Sequence, residues 1–234
     1  MFLLLQFFLS VGFSTAATEA APADPSGQEV LARYLEAEKR NVLRGISMET
    51  TFFAKVPKLE KDASLTARRT VSPTGEVKYE TIRTAGDKSI LKEVIARVIN
   101  TEQEAPPASL AQIAVNDANY KFKHKAVIEK DGHTTYVFDV TPKKKRGGLF
   151  KGDIWVDRET GLLIREAGRL VKSPSVVIKK VEFVREYEIK DNYSMPLRTR
   201  SHTDTRLWGK ADVSVLYAQW AWDGAQPALL LQQH

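Results

Sequence analysis

The chain holds four histidines and no cysteine, so any chemistry must come from imidazole, carboxylate, hydroxyl or amine groups. Without thiols there is no disulfide framework, thiol nucleophile, zinc–thiolate site, iron–sulfur cluster or lipid-modified N-terminal cysteine. His202-Thr203-Asp204 sets an imidazole and a carboxylate two residues apart, which on a strand places both on one face. That pair lacks a third ligand, so an exposed polar face is expected there and not a metal site. His124 and His133 fall in a basic strand and at a hairpin tip, and His234 is terminal. Glu182, Glu186 and Glu188, with Lys179 and Arg185 nearby, read as an ordinary charged surface rather than an acid–base pair. There is no G-x-S-x-G elbow, Walker loop, H-E-x-x-H or dinucleotide fingerprint. No enzyme, cofactor or metal is expected.

Charge narrows the classes further. The 234 residues carry 35 Lys+Arg against 29 Asp+Glu, a formal charge of +6 that favours anionic partners. The densest run is Lys143-Lys144-Lys145-Arg146, followed by two glycines. No aromatic stacking pattern accompanies it, so no nucleic-acid role is expected. It reads either as a solvated loop or as a docking patch for anionic headgroups. With 43% hydrophobic and 27% charged residues, the chain should bury a real core.

Residues 1–18 carry no charge and contain two apolar runs, after which Ser14 and Ala16 suit the positions before a signal-peptidase cut. The reading is a secretory signal at 1–16, cleaved near Ala16, although a positive n-region is missing. The apolar stretch is short for a membrane anchor. A linker at 17–25, a single domain at 26–222 and a tail at 223–234 complete the division.

The elements that must position these residues follow from periodicity. Ser26 and Glu29 form a capping box, and Val30, Leu31, Tyr34 and Leu35 recur at helical spacing, giving an amphipathic helix over 27–43. From Ile46 the period becomes two, and Pro57 ends the run. Strands are expected at 64–72 and 76–84, joined by Ser72-Pro73-Thr74-Gly75. A second, strongly apolar helix spans 87–100, capped by Asp87 or Ser89. After a Pro-rich break and a short helical turn at 109–115, the rest alternates strand and turn to about residue 220. Tyr120, Phe122, Ala126 and Ile128 are placed on one face of the first of these strands. The expectation is a mainly β chain with helices (α+β), about ten strands in a meandering antiparallel sheet.

A curled sheet of that size either fills its concave face or keeps it open under helices. Its inward positions include Phe52, Tyr79, Phe122, Phe138, Val181, Phe183, Tyr187, Val213, Val215 and Tyr217, and Ile95 faces them from the second helix. Aromatics in that number suit the lining of a small-molecule cavity.

The stretch Lys151-Gly152-Asp153-Ile154-Trp155-Val156-Asp157, then Thr160-Gly161 and Leu163-Ile164-Arg165, resembles a hairpin of the periplasmic LolA-like (outer-membrane lipoprotein-sorting) proteins. Lys179-Lys180-Val181-Glu182-Phe183, Tyr187, Met195-Pro196-Leu197 and Leu207-Trp208-Gly209-Lys210-Ala211 continue the resemblance. It spans about 26–220 in element order. It implies an incomplete antiparallel barrel with helices covering its mouth and a hydrophobic cavity that shelters acyl chains. Arg83 and Arg97 are the candidates for the arginine that ties barrel to lid in the carrier, with the stretch from Thr84 to Asp87, hinged at Gly86, as the moving part. Without cysteine the chain is not a lipid-anchored receptor of the LolB type. The function expected is a monomeric periplasmic carrier or chaperone for lipoprotein acyl chains or lipid. It would pass cargo from an inner-membrane donor to an outer-membrane acceptor. The alternative is an envelope-stress sensor or protein-interaction module that uses the fold without carrying lipid.

Overall fold

The computed structural model describes residues 25–174, 178–206 and 209–223. The expected signal sequence, almost all of the expected linker, and residues 224–234 of the expected tail lie outside them. In chain order the elements are α1 (Gly27–Arg40), β1 (Ile46–Val56), β2 (Lys61–Val71) and β3 (Val77–Gly86). Next come α2 (Lys88–Ile90), a π-helical turn (Leu91–Ile95), α3 (Ala96–Gln103) and α4 (Pro107–Ile113). Seven strands follow: β4 (Tyr120–Lys130), β5 (His133–Pro142), β6 (Phe150–Asp157), β7 (Leu163–Leu170), β8 (Ile178–Lys190), β9 (Tyr193–Thr205) and β10 (Lys210–Trp222).

All ten strands among the described residues form one antiparallel sheet, in the order β3-β2-β1-β10-β9-β8-β7-β6-β5-β4. From β4 to β10 each strand pairs with the next in sequence, and β1 then pairs with β10, so the first and last strands meet inside the sheet. β3 and β4 remain edges, and the barrel stays open. Register fixes which residues face inward: Phe52 pairs with Val215 on one side and Leu65 on the other. Close packing within the sheet needs glycine at Gly152 and Gly168, which face each other on β6 and β7. A Cβ on Gly152 would run into the backbone of Ala167 and Gly168.

The helices cover the concave face. Ser26 and Glu29 close the capping box of α1, each side chain bonding the other's backbone amide. Asp87 caps α2 by accepting from the amides of Ser89 and Ile90. The π turn advances the chain by five residues between Ile90 and Ile95, so both stay buried on one face together with Ile99. Val98, out of phase with these three, is 40% exposed.

Two sequence expectations change. The stretch from Thr84 to Gly86 is no loop; it pairs with Leu65, Ser64 and Ala63 as the end of β3. Gly86 has φ +90° and abuts Asp62, which leaves it a packed strand end rather than a hinge. In β4, a bulge between His124 and Ala126 reverses the faces. His124, ahead of the bulge, keeps the face of Tyr120 and Phe122 and meets the Phe138 and Tyr136 rings, while Ile128, beyond it, is turned outward and 43% exposed.

Candidate functional site

The inward residues named from sequence fall into two apolar floors rather than one. Phe138 and Phe183, with Phe122 packed against them, form the first with Tyr120, Phe150 and Ile154, and α1 covers it with Val30 and Tyr34. Phe52, Ile95 and Val215 form the second, with Tyr79, Val213 and Tyr217 packed against it and Ile90 and Ile99 above. Tyr187 and Val181 belong to neither. Tyr187 borders a cavity beside α1, and Val181 is half-buried at the end of β8. The first floor is braced by rings, with Phe150 edge-on to Phe183 at 5.0 Å between centroids.

Between the floors the inner face is polar. Glu166 on β7 is 4% exposed, and its Oε2 accepts from Arg185 Nη1 at 3.0 Å and from the Tyr187 hydroxyl at 3.1 Å. Packing on the inner face partly desolvates the Arg185 charge, and the Glu166 carboxylate, together with the hydrogen bond it accepts and the Tyr187 phenol, holds the guanidinium pKa up. Burial first, then Glu166, pushes the Tyr187 phenol well up, so it stays protonated and donates to Glu166. Sequence reading placed Arg185 on the solvated side with its glutamate neighbours. It shares the parity of Phe183 and Tyr187, the signal that could have put it inside. Glu166 left no comparable mark, because β7 is short and mixed in character.

A second ionic group joins sheet to helix. Arg69 on β2 donates from Nε to Glu102 Oε1 on α3 at 3.1 Å and forms a further contact through Nη2. The Tyr79 hydroxyl donates to the other Glu102 oxygen. This clasp corrects the choice of Arg83 and Arg97. Arg83 donates to Thr66 on the neighbouring strand, and Arg97 pairs with Glu93 within its own helical segment. Arg69 was missed because only the register with Tyr79 and the fold-back of α3 bring it to Glu102.

Hollows border both faces of the sheet. One of about 230 Å³ sits between α1, α4 and β7 to β9, with Tyr34, Ile113, Leu163, Glu166, Tyr187 and Ser194 on its walls. The Ser194 hydroxyl is buried there with no hydrogen-bond partner among the described residues. A hollow of about 500 Å³ lies where β1, β2, β3, β9 and β10 meet, but its border carries Phe53, Ser64, Arg200, His202 and Asp212, which alternate with the inward residues, so it belongs to the outer face. The basic run flanks α4. Lys143 donates to the Asp117 carbonyl and Arg146 to the Gln112 carbonyl at 3.2 Å, so two of the four cations brace the connection between α4 and β5. Lys144 and Lys145 are exposed and unpaired among the described residues.

His202 sits on the outer face and meets Asp212 on β10 at 2.6 Å, rather than Asp204. Among the described residues no three His, Asp or Glu side chains gather as a metal site, and no helix is long and apolar enough to cross a membrane.

The architecture is that of an open, helix-covered β-barrel. No protein-family profile and no curated protein matches the sequence. Among solved structures, similar chains include a DUF1329 family protein from Desulfovibrio piger, at 11% identity and a TM-score of 0.46 over 86% of this chain and 94% of that one. The LolA superfamily protein NE2245 from Nitrosomonas europaea gives 11% identity and a TM-score of 0.41 over 86% and 94%. A domain named for outer-membrane lipoprotein sorting, from Vibrio parahaemolyticus, gives 12% and 0.42 over 86% and 95%. These likenesses concern the path of the chain and say nothing of its ligand.

Proposed function

We propose that this protein is a periplasmic carrier that shelters acyl chains or lipid against the concave face of its sheet, and that it binds rather than catalyses. The observation that carries this reading is the pair of apolar floors, each under its own helical cover, with a seam between them that is not sealed: Arg185 lies on the inner face yet keeps 45% of its side chain accessible. An acyl chain laid across such a face leaves water at about 0.8 kcal/mol per CH₂. That is several kcal/mol for a modest length, enough to hold a lipid outside a membrane. Lys144 and Lys145, exposed between the Lys143 and Arg146 that hold their loop to the region of α4, would meet the anionic surface where cargo is collected or delivered.

The test is native mass spectrometry of protein purified from its own host, with lipid extraction of any adduct, alongside uptake of a fluorescent acyl probe. A bound acylated species and saturable uptake are expected. A clean ligand-free mass together with no uptake would remove the carrier reading.

A further inference from the structure

An apolar groove would hold any greasy chain; the polar seam at its centre does more. Arg185 is held on two sides, by Glu166 at 3.0 Å and by the face of the Phe183 ring, 4.7 Å from its Cζ. A guanidinium offers five N–H donors, and among the described residues Glu166 is the only hydrogen-bond acceptor on this one. With 45% of the side chain accessible, a ligand laid on this face can reach the guanidinium, where Glu166 takes one N–H and leaves the others to it. Such a positioned donor array awaits oxygen acceptors.

Charge decides which acceptors. Arg185 and Glu166 cancel each other, and Glu166 is itself 4% exposed, so solvent does little to screen it. A free carboxylate on the open donors would bring a second anion close to Glu166 with no further cation paired to it. An ester or amide carbonyl accepts the same N–H groups and brings no charge to balance. Resting on the carrier reading, we propose that the Arg185–Glu166 seam recognises the neutral ester or amide linkage of an acylated ligand and discriminates against the free fatty acid. Arg185 supplies the hydrogen bonds, Glu166 fixes its orientation and repels anions, and the apolar floors on either side take the hydrocarbon.

The experiment compares a long-chain fatty acid with its methyl ester, at about pH 8 where the acid is ionised, as competitors of a fluorescent acyl probe bound to the full chain. The ester should compete at roughly tenfold lower concentration than the acid. Glu166→Gln leaves the Arg185 charge unbalanced and should reverse that order in favour of the acid. Arg185→Met should weaken the ester by about tenfold. A wild type that prefers the acid, or a folded Glu166→Gln that keeps the wild-type ratio, overturns the proposal. Should Glu166→Gln fail to fold, by near-ultraviolet circular dichroism, the wild-type ratio and the Arg185→Met affinity still decide. Equal competition by acid and ester overturns this proposal and leaves the carrier reading standing. Binding of neither overturns both.

Discussion

Glu38 shows how a single carboxyl reports on the smaller hollow. It borders that space on α1, and burial, followed by the nearby Asp117, raises its pKa above the ordinary carboxylate value. A raised value means that the native state holds the proton more tightly than the unfolded chain. Protonation thus favours the fold, and this advantage is lost as pH rises from the usual carboxylate range through the raised value. Glu38→Gln, neutral at every pH, should be more stable than the wild type near pH ~7, with the gap closing below pH ~4. Urea melts at the two pH values would show this, and an equal gap at both would mean that charge burial is not the cause.

At the scale of elements, the question is what keeps the second helical segment on the sheet. Ile90, Ile95 and Ile99 supply the apolar contact, worth about 1.5–3 kcal/mol for each fully buried side chain. The Arg69–Glu102–Tyr79 clasp pins the far end of the segment, and Asp87 with Lys61 at 2.9 Å pins the near end. Because the Glu102 side chain is 38% exposed, water screens the clasp. Glu102→Gln should therefore cost only about 1 kcal/mol of stability. Its larger effect should be kinetic: with the far end released, a bound acyl probe should leave faster in stopped-flow exchange. An unchanged off-rate would show that α3 does not gate the site.

Taken whole, the molecule is a sheet with two open edges, which would pair with copies of itself if nothing prevented it. β4 defends its edge with Lys121, Lys123 and Lys130, and its bulge carries Lys125 across to Asp153 at 2.6 Å. The wild type should sediment as a monomer. Lys121→Val combined with Lys123→Val should drive concentration-dependent association in analytical ultracentrifugation. If that variant stays monomeric, the twist of the edge is protecting it rather than its charge.

By itself the sequence determined the elements and their character. Strand periodicity from Ile46 to Val56, the capping and turn residues, and the apolar stripe from Ile90 to Ile99 all depend on neighbours a few residues apart, and such patterns survive in a linear reading. The aromatic inner positions were legible for the same reason, since a strand alternates faces. Only the tertiary structure decided that these positions form two floors instead of one cavity, that Arg69 and not Arg83 or Arg97 clasps the helix, and that Glu166 and Arg185 meet inside. Each of those depends on register between strands distant in the chain. A bulge such as the one in β4 shifts register by one residue and sends every later side chain to the other face. Local sequence records the pleat of each strand, and partner choice and register come from burying all ten together.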